Sequence, residues 1–161
     1  MSDQDNAVDF VVSAYREDGR WQVEPLPPHL ADDLEALVAV LRQRPGDGGA
    51  LGLISVDEDF FIAVRVAGPD ARFLLSDVTA ATDWPVARKV LQRLGLPLPD
   101  DDDSVQPAGD TAIFADLGVE PMAVAAICDD IDSYPDEMLT EMATRMGFGP
   151  QFEGTLDNSY G

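Results

Sequence analysis

The first hydrophobic run, Phe10-Val11-Val12-Ser13-Ala14-Tyr15, is β-branched and aromatic, and Trp21-Gln22-Val23 resumes it after Glu17-Asp18-Gly19-Arg20. Asp-Gly between two such runs predicts a hairpin, because Gly19 tolerates positive φ. Pro25, Pro27 and Pro28 end that pairing. Leu30, Leu34, Leu37, Val38 and Leu41 then recur at i, i+4, i+7, i+8 and i+11, one apolar stripe of a helix. Asp32 and Asp33 fall in its first turn and Arg42 and Arg44 in its last, as the helix dipole favours. Pro45-Gly46-Asp47-Gly48-Gly49 stops it. Three strand-like runs follow, Leu51 to Val56, Phe60 to Val66 and Arg72 to Leu75, separated by breaks too short for parallel crossovers. A second helix is predicted from Trp84 or Pro85 to Leu94, with Val86, Val90, Leu91 and Leu94 inward and Gly95 at its end.

These elements predict an α+β fold with an antiparallel five-stranded sheet in ββαβββα order over residues 1–96. By analogy that order is longin-, roadblock- or profilin-like, which carries little functional weight. Residues 97–111 read as an acidic, proline-rich linker in which four adjacent carboxylates, Asp100 to Asp103, favour an extended, solvated chain. Residues 112–161 read as a helical C-terminal extension. One segment opens at Pro121 and runs through Cys128; the next has Pro135 and Asp136 in its first turn and Met138, Leu139, Met142 and Met146 inside. Arg145 and Gly147 close it. So short an extension cannot hold a comfortable core alone, and it is expected to pack on the first domain, a second subunit or a partner.

Charge changes the picture. The chain has 161 residues and a formal net charge of −21. Beyond Leu94 there are fifteen acids and one base, Arg145, against sixteen acids and nine bases before it. This field repels nucleic acid and anionic membrane and attracts basic partners. An apolar content of 45% separates the chain from wholly disordered acidic proteins. One cysteine, no apolar N-terminal stretch and no membrane-length run predict a soluble cytoplasmic protein.

Catalytic and metal motifs are missing. His29 follows two prolines, Cys128 lies far along the chain, and no G-x-S-x-G turn is present. Cys128 reads as a small core residue and His29 as a surface residue near a helix start. The H-x-E and P-C-x-x-C motifs of zinc deaminases are absent, so the chain is not itself such an enzyme. A calcium-like loop begins at Asp130, with Asp132 third and Glu141 twelfth. Tyr134 and Pro135 occupy its fifth and sixth positions, which favours a helix-capping turn. Gly46-Asp47-Gly48-Gly49 lacks the lysine of a phosphate loop. No cofactor or metal is expected. Four of the five methionines, Met122, Met138, Met142 and Met146, read as core, with an exposed adaptable groove as the alternative.

Four segments together resemble a known family. They are Phe60-Phe61-Ile62-Ala63-Val64-Arg65-Val66, Arg72-Phe73-Leu74-Leu75-Ser76-Asp77, Ile113-Phe114-Ala115-Asp116-Leu117-Gly118, and Tyr134-Pro135-Asp136-Glu137 leading to Arg145-Met146-Gly147-Phe148-Gly149. In this order they resemble the tRNA adenosine deaminase-associated proteins of actinobacteria. The resemblance implies association with a tRNA-specific adenosine deaminase and transfers no catalytic residue.

The leading expectation is therefore a non-enzymatic acidic partner or regulator of a basic, RNA-handling enzyme. Its candidate contact residues are Asp100, Asp101, Asp102, Asp103, Asp129, Asp130, Asp132 and Asp136. The alternatives are a homodimeric assembly module whose charge serves solubility, and an enzyme using carboxylates such as Asp77 near Asp83 or the Asp129-Asp130-Asp132 cluster.

Overall fold

The computed structural model describes residues 8–44, 49–100, 104, 106–130 and 132–159. An antiparallel sheet of six strands is its centre, in the order β2-β1-β3-β4-β5-β6. The strands are β1 (Val8–Glu17), β2 (Arg20–Pro25), β3 (Ala50–Val56), β4 (Phe60–Ala67), β5 (Asp70–Leu75) and β6 (Ala108–Gly109). Five helices accompany them: α1 (Leu34–Arg42), α2 (Pro85–Leu94), α3 (Pro121–Cys128), α4 (Pro135–Met146) and α5 (Gly149–Ser159). None of the described helices is long and apolar enough to cross a membrane.

The β1–β2 turn forms as its residues dictate, with Asp18 and Gly19 both at positive φ (54° and 77°). Pro85 opens α2, and Gly95 ends it in the left-handed region at φ 71°. Two expectations need correction. The first helix starts later than its apolar stripe, at Leu34. Leu30 and Ala31 are buried in a 3-10 turn, Pro28–Asp32, before it. Asp33 is the cap of α1, its Oδ1 accepting from the Ala36 amide at 3.1 Å. The sheet has six strands and not five, because Ala108–Gly109, assigned to the linker, pairs with Leu74 and Leu75. Next to that pairing, the Val78 amide donates to the Gln106 carbonyl and the Asp110 amide to that of Phe73. Within the residues read as a helical extension, the chain after Gly147 forms α5, a helix whose bounds the sequence pattern did not show.

Both sheet faces are apolar and each carries a helical layer. On the first face Val11, Ile54, Ile62, Val64 and Phe73 meet Leu37, Leu41, Val86 and Val90 of α1 and α2. Gly52 lets α1 approach, since a Cβ there would stand 3.0 Å from Leu41 Cδ1. On the second face Phe10, Val12, Leu51, Leu53, Phe61 and Leu74 meet Val124, Leu139, Met142, Phe148 and Phe152 of the C-terminal residues. Strand alternation gives each sheet residue to one side or the other, so burial on both sides explains the nearly continuous apolar runs of β3 and β4.

Two arginines fix the C-terminal layer to the sheet. Arg65 and Arg72 are cross-strand neighbours on β4 and β5. Arg65 donates through Nη1 to the Ile113 carbonyl at 2.9 Å, and its fork grips both Asp116 oxygens at 2.5 and 2.9 Å. Arg72 donates through Nε to Asp110 at 2.5 Å and through Nη2 to the Ala112 carbonyl at 2.9 Å. Bidentate pairing of this kind sets orientation as well as energy. It holds the chain entering the second layer in one register.

Candidate functional site

A cleft of about 760 Å³ opens where α4 and α5 meet the end of the sheet. Four stretches of chain build it. Asp9 and Phe10 come from the start of β1, Ser55 and Glu58 from the end of β3 and its turn, Asp136, Glu137 and Glu141 from α4, and Glu153, Leu156 and Asp157 from α5. Seven of its lining residues are carboxylates and none is basic.

Local structure explains how distant acids converge. Asp9 is the extra residue of a β-bulge, since Val8 pairs with Val56 and Phe10 with Ser55. Bulges redirect side chains, and here the Asp9 carboxylate accepts from Ser55 Oγ and from the Glu58 amide, both at 2.7 Å. The β3–β4 turn needs that support. Asp57 and Glu58 both adopt positive φ (53° and 49°), where a side chain is disfavoured. The bulge thus ties down a turn that presents Glu58 at the cleft. On α4, Asp136 and Glu137 occupy the first turn beside Pro135, where the dipole stabilises them. Glu137 Oε1 also accepts from the Tyr134 amide at 2.9 Å. Glu137 and Glu141, like Glu153 and Asp157, are four apart and share a helix side. Six of the seven carboxylates are exposed, and Asp9 is half-buried. The arrangement is a solvated negative surface, suited to cationic side chains by Coulomb attraction.

The acids singled out from the sequence are distributed around this cleft. Asp136 lines it. Asp130 lies in a smaller groove between α3 and α4 with Glu137 and Glu141, and Asp129 in another beside Gln106 and Pro107. Asp130 serves a turn, accepting from the Asp132 amide at 3.0 Å and from Ser133 Oγ at 2.9 Å. Asp132 and Asp100 are exposed. Asp101, Asp102 and Asp103 lie outside the described residues. Sequence reasoning had missed Asp9 and Glu58 altogether. Asp136 is among the acids expected from the sequence, and the four-residue spacing of Glu137 and Glu141 on α4 was the available signal for those two. Glu153 and Asp157 lie on α5, a helix whose bounds the sequence pattern does not show.

Other reactive groups are placed apart. Cys128 is buried in the second-face cluster, and burial pushes its thiol up to about 12, far from a thiolate. His29 is exposed in the turn before α1, on the opposite face of the sheet. Asp77 caps a 3-10 turn, accepting from the Thr79 amide at 2.9 Å and its hydroxyl at 2.6 Å. Among the described residues no group of three His, Cys, Asp or Glu is arranged to hold a metal ion.

Among the described carboxyls, Asp59 has an upward shift. Burial raises it above its ordinary value, and the charges of Asp77, Asp57 and Asp83 add to that. A carboxyl raised by folding makes stability fall as pH rises through its ordinary value toward the folded one, and the loss persists above. Asp59→Asn is therefore expected to raise Tm at pH 7, with the gain shrinking below about pH 4. Thermal melts across that range check it, and an unchanged Tm at pH 7 contradicts it.

A family model described as "Rv3753c-like tRNA adenosine deaminase-associated protein" matches residues 9–149. Among curated proteins, Protein Rv3753c of Mycobacterium tuberculosis (strain ATCC 25618 / H37Rv) is 37% identical over 151 residues, covering 92% of this chain and 87% of that one. No solved structure matches the chain.

Proposed function

Since the chain belongs to the Rv3753c-like tRNA adenosine deaminase-associated protein family, we propose that it is a non-enzymatic acidic partner of a tRNA adenosine deaminase. The observation that carries this reading is the cleft at the junction of α4, α5 and the sheet end, with seven carboxylates and no base among its lining residues. An enzyme that handles tRNA needs lysines and arginines for the phosphates. Those cations are what this cleft is suited to receive. Bound there, the protein would occupy part of the tRNA-contacting surface, so its effect would be regulatory and competitive with tRNA.

Rim charges of this kind govern association rate and salt dependence and contribute modestly to affinity. Each exposed pair is worth about 0.2–1 kcal/mol. Neutralising Glu141, Glu153 and Asp157 together (E141Q/E153Q/D157N) is therefore expected to weaken binding about tenfold at low salt. It should also flatten the dependence of Kd on salt. Titration against the deaminase of the same organism, at low and at physiological ionic strength, tests this. Absence of binding at low salt, or equal binding by the triple variant, defeats the reading.

A further inference from the structure

The outward side of α3 is an apolar helix face with no cover among the described residues. Its sequence is Pro121-Met122-Ala123-Val124-Ala125-Ala126-Ile127-Cys128, and only Val124, Ile127 and Cys128 are buried. Met122 is 84% exposed, more than any other large apolar side chain described. Ala125 and Ala126 are exposed as well. A helix apolar on all sides belongs inside a core, whereas a surface helix keeps polar residues outward. Exposed methionine among alanines makes a surface that adapts to an incoming side chain. The other methionines of this layer are used differently: Met142 and Met146 are buried and Met138 is half-buried.

Two grooves flank this face. One, of about 270 Å³, lies between α3 and α4 and is lined by Ala126 and Met138 together with Asp130, Glu137, Glu141 and Arg145, three acids to one base. The other, of about 290 Å³, is bordered by Ala125, Pro107 and Asp129. Glu137 and Glu141 also line the acidic cleft. The apolar face and the cleft are thus joined across α4.

Charge selects the occupant. Beyond Leu94 the chain has fifteen acids and Arg145 as its single base. A second copy docked on this face by a two-fold axis would set the same carboxylates against each other, and like charges brought together across an interface oppose it. We propose that the exposed face of α3 docks a cationic amphipathic segment of a partner protein. Its apolar side chains lie over Met122 and Ala126, and its lysines or arginines face Glu137, Glu141 and Asp129. This rests on the partner reading above and adds where the apolar contact is made and what the partner's segment contains.

Full-length protein is titrated with the tRNA adenosine deaminase of the same organism, comparing wild type with Met122→Gln and Ala126→Arg. Both positions are exposed, so unchanged circular dichroism and Tm are expected for each. Met122→Gln should weaken binding about fivefold and Ala126→Arg about tenfold or more. Full affinity in both, while E141Q/E153Q/D157N binds poorly, overturns the docking face and leaves the partner reading intact. If wild type does not bind the deaminase, that reading has failed, and two synthetic peptides decide the face. A leucine–lysine amphipathic peptide should bind about tenfold more tightly than a serine–lysine peptide of equal charge, and Met122→Gln should erase the difference. Equal binding of the two peptides overturns the proposal. So does a wild-type dimer in sedimentation that Ala126→Arg dissociates, which would assign the face to a second copy.

Discussion

Phe152→Ala is expected to remove about 3–5 kcal/mol of folding stability, the usual range for deleting a fully buried phenylalanine. Phe152 is completely buried on the sheet-facing side of α5. Its ring meets Phe10 edge-on at 5.7 Å between centroids and Phe148 edge-on at 6.4 Å. Phe148 in turn lies tilted against Trp21, with ring centroids 4.5 Å apart and planes at 40°. Truncation would therefore leave a void under a chain of rings that joins α5 to β1 and β2. For a chain of this size each kcal/mol lowers Tm by about 2–4 °C, so a fall near 10 °C is expected. The neighbouring Glu153→Gln, on the exposed side, should leave Tm within about 2 °C. Because α5 presents Glu153 and Asp157 to the acidic cleft, Phe152→Ala should also weaken partner binding at temperatures where the rest of the fold survives. Denaturant unfolding checks the first effect. A loss below about 1 kcal/mol would mean that α5 is not held by its aromatic side.

That helix shows where the sequence stops being readable. Strands β1 to β5 and helices α2, α3 and α4 carry strong local signals: alternating or continuous apolar runs, Asp-Gly at a hairpin, prolines at helix starts and glycines at helix ends. Helix α5 opens on Gly149 and Pro150 directly after the Gly147 that ends α4, so its start is masked by a stop signal, and Gly154 is unfavourable in its interior. Tertiary burial of Phe152, with half-buried Leu156 one turn later, overrides that preference. Strand β6 is two residues long and has no periodicity to detect. It exists because Arg72 and the Phe73 carbonyl hold Asp110 beside the sheet. The start of α1 was misplaced because a 3-10 turn put Leu30 on the same apolar side as the helix that follows.

The cleft divides in the same way. Its α4 part was partly legible, because Glu137 and Glu141, four residues apart on an expected helix, must share a side, whereas Glu153 and Asp157 stand on α5, whose bounds no local pattern marks. Asp9 and Glu58 were not, being 49 residues apart and joined only by a bulge and a turn in the left-handed region. Register between non-adjacent segments is a property of the folded sheet, and no local pattern encodes it. The same holds for Arg65, which stood in a strand-like run as one polar residue among apolar ones. Its burial makes sense only once Asp116 is placed against it.

Asp116→Asn should be more damaging than removing both partners of that pair. The Arg65 side chain is 5% exposed and that of Asp116 62%. When Arg65 is replaced by Met, Asp116 turns to water and a flexible apolar chain fills the space. When Asp116 is replaced by Asn, a buried guanidinium loses its counter-charge and cannot reach water as easily. Leaving one buried charge uncompensated costs about 3–5 kcal/mol in fully enclosed pairs. Asp116 is open to solvent, so about 2 kcal/mol is expected here. Arg65→Met/Asp116→Asn should recover part of that loss, giving a coupling energy in a double-mutant cycle. Acid provides an independent check. The hydrogen bonds from Arg65 hold the Asp116 carboxyl below its ordinary value. Its folded pKa is depressed, so its contribution is present above the ordinary carboxylate value of about 4 and is lost as pH falls through the lower folded value. Wild type should lose stability across that window more steeply than Asp116→Asn. A single variant that unfolds like wild type at both pH 7 and pH 3 would show that the Arg65–Asp116 pair does not anchor the C-terminal layer.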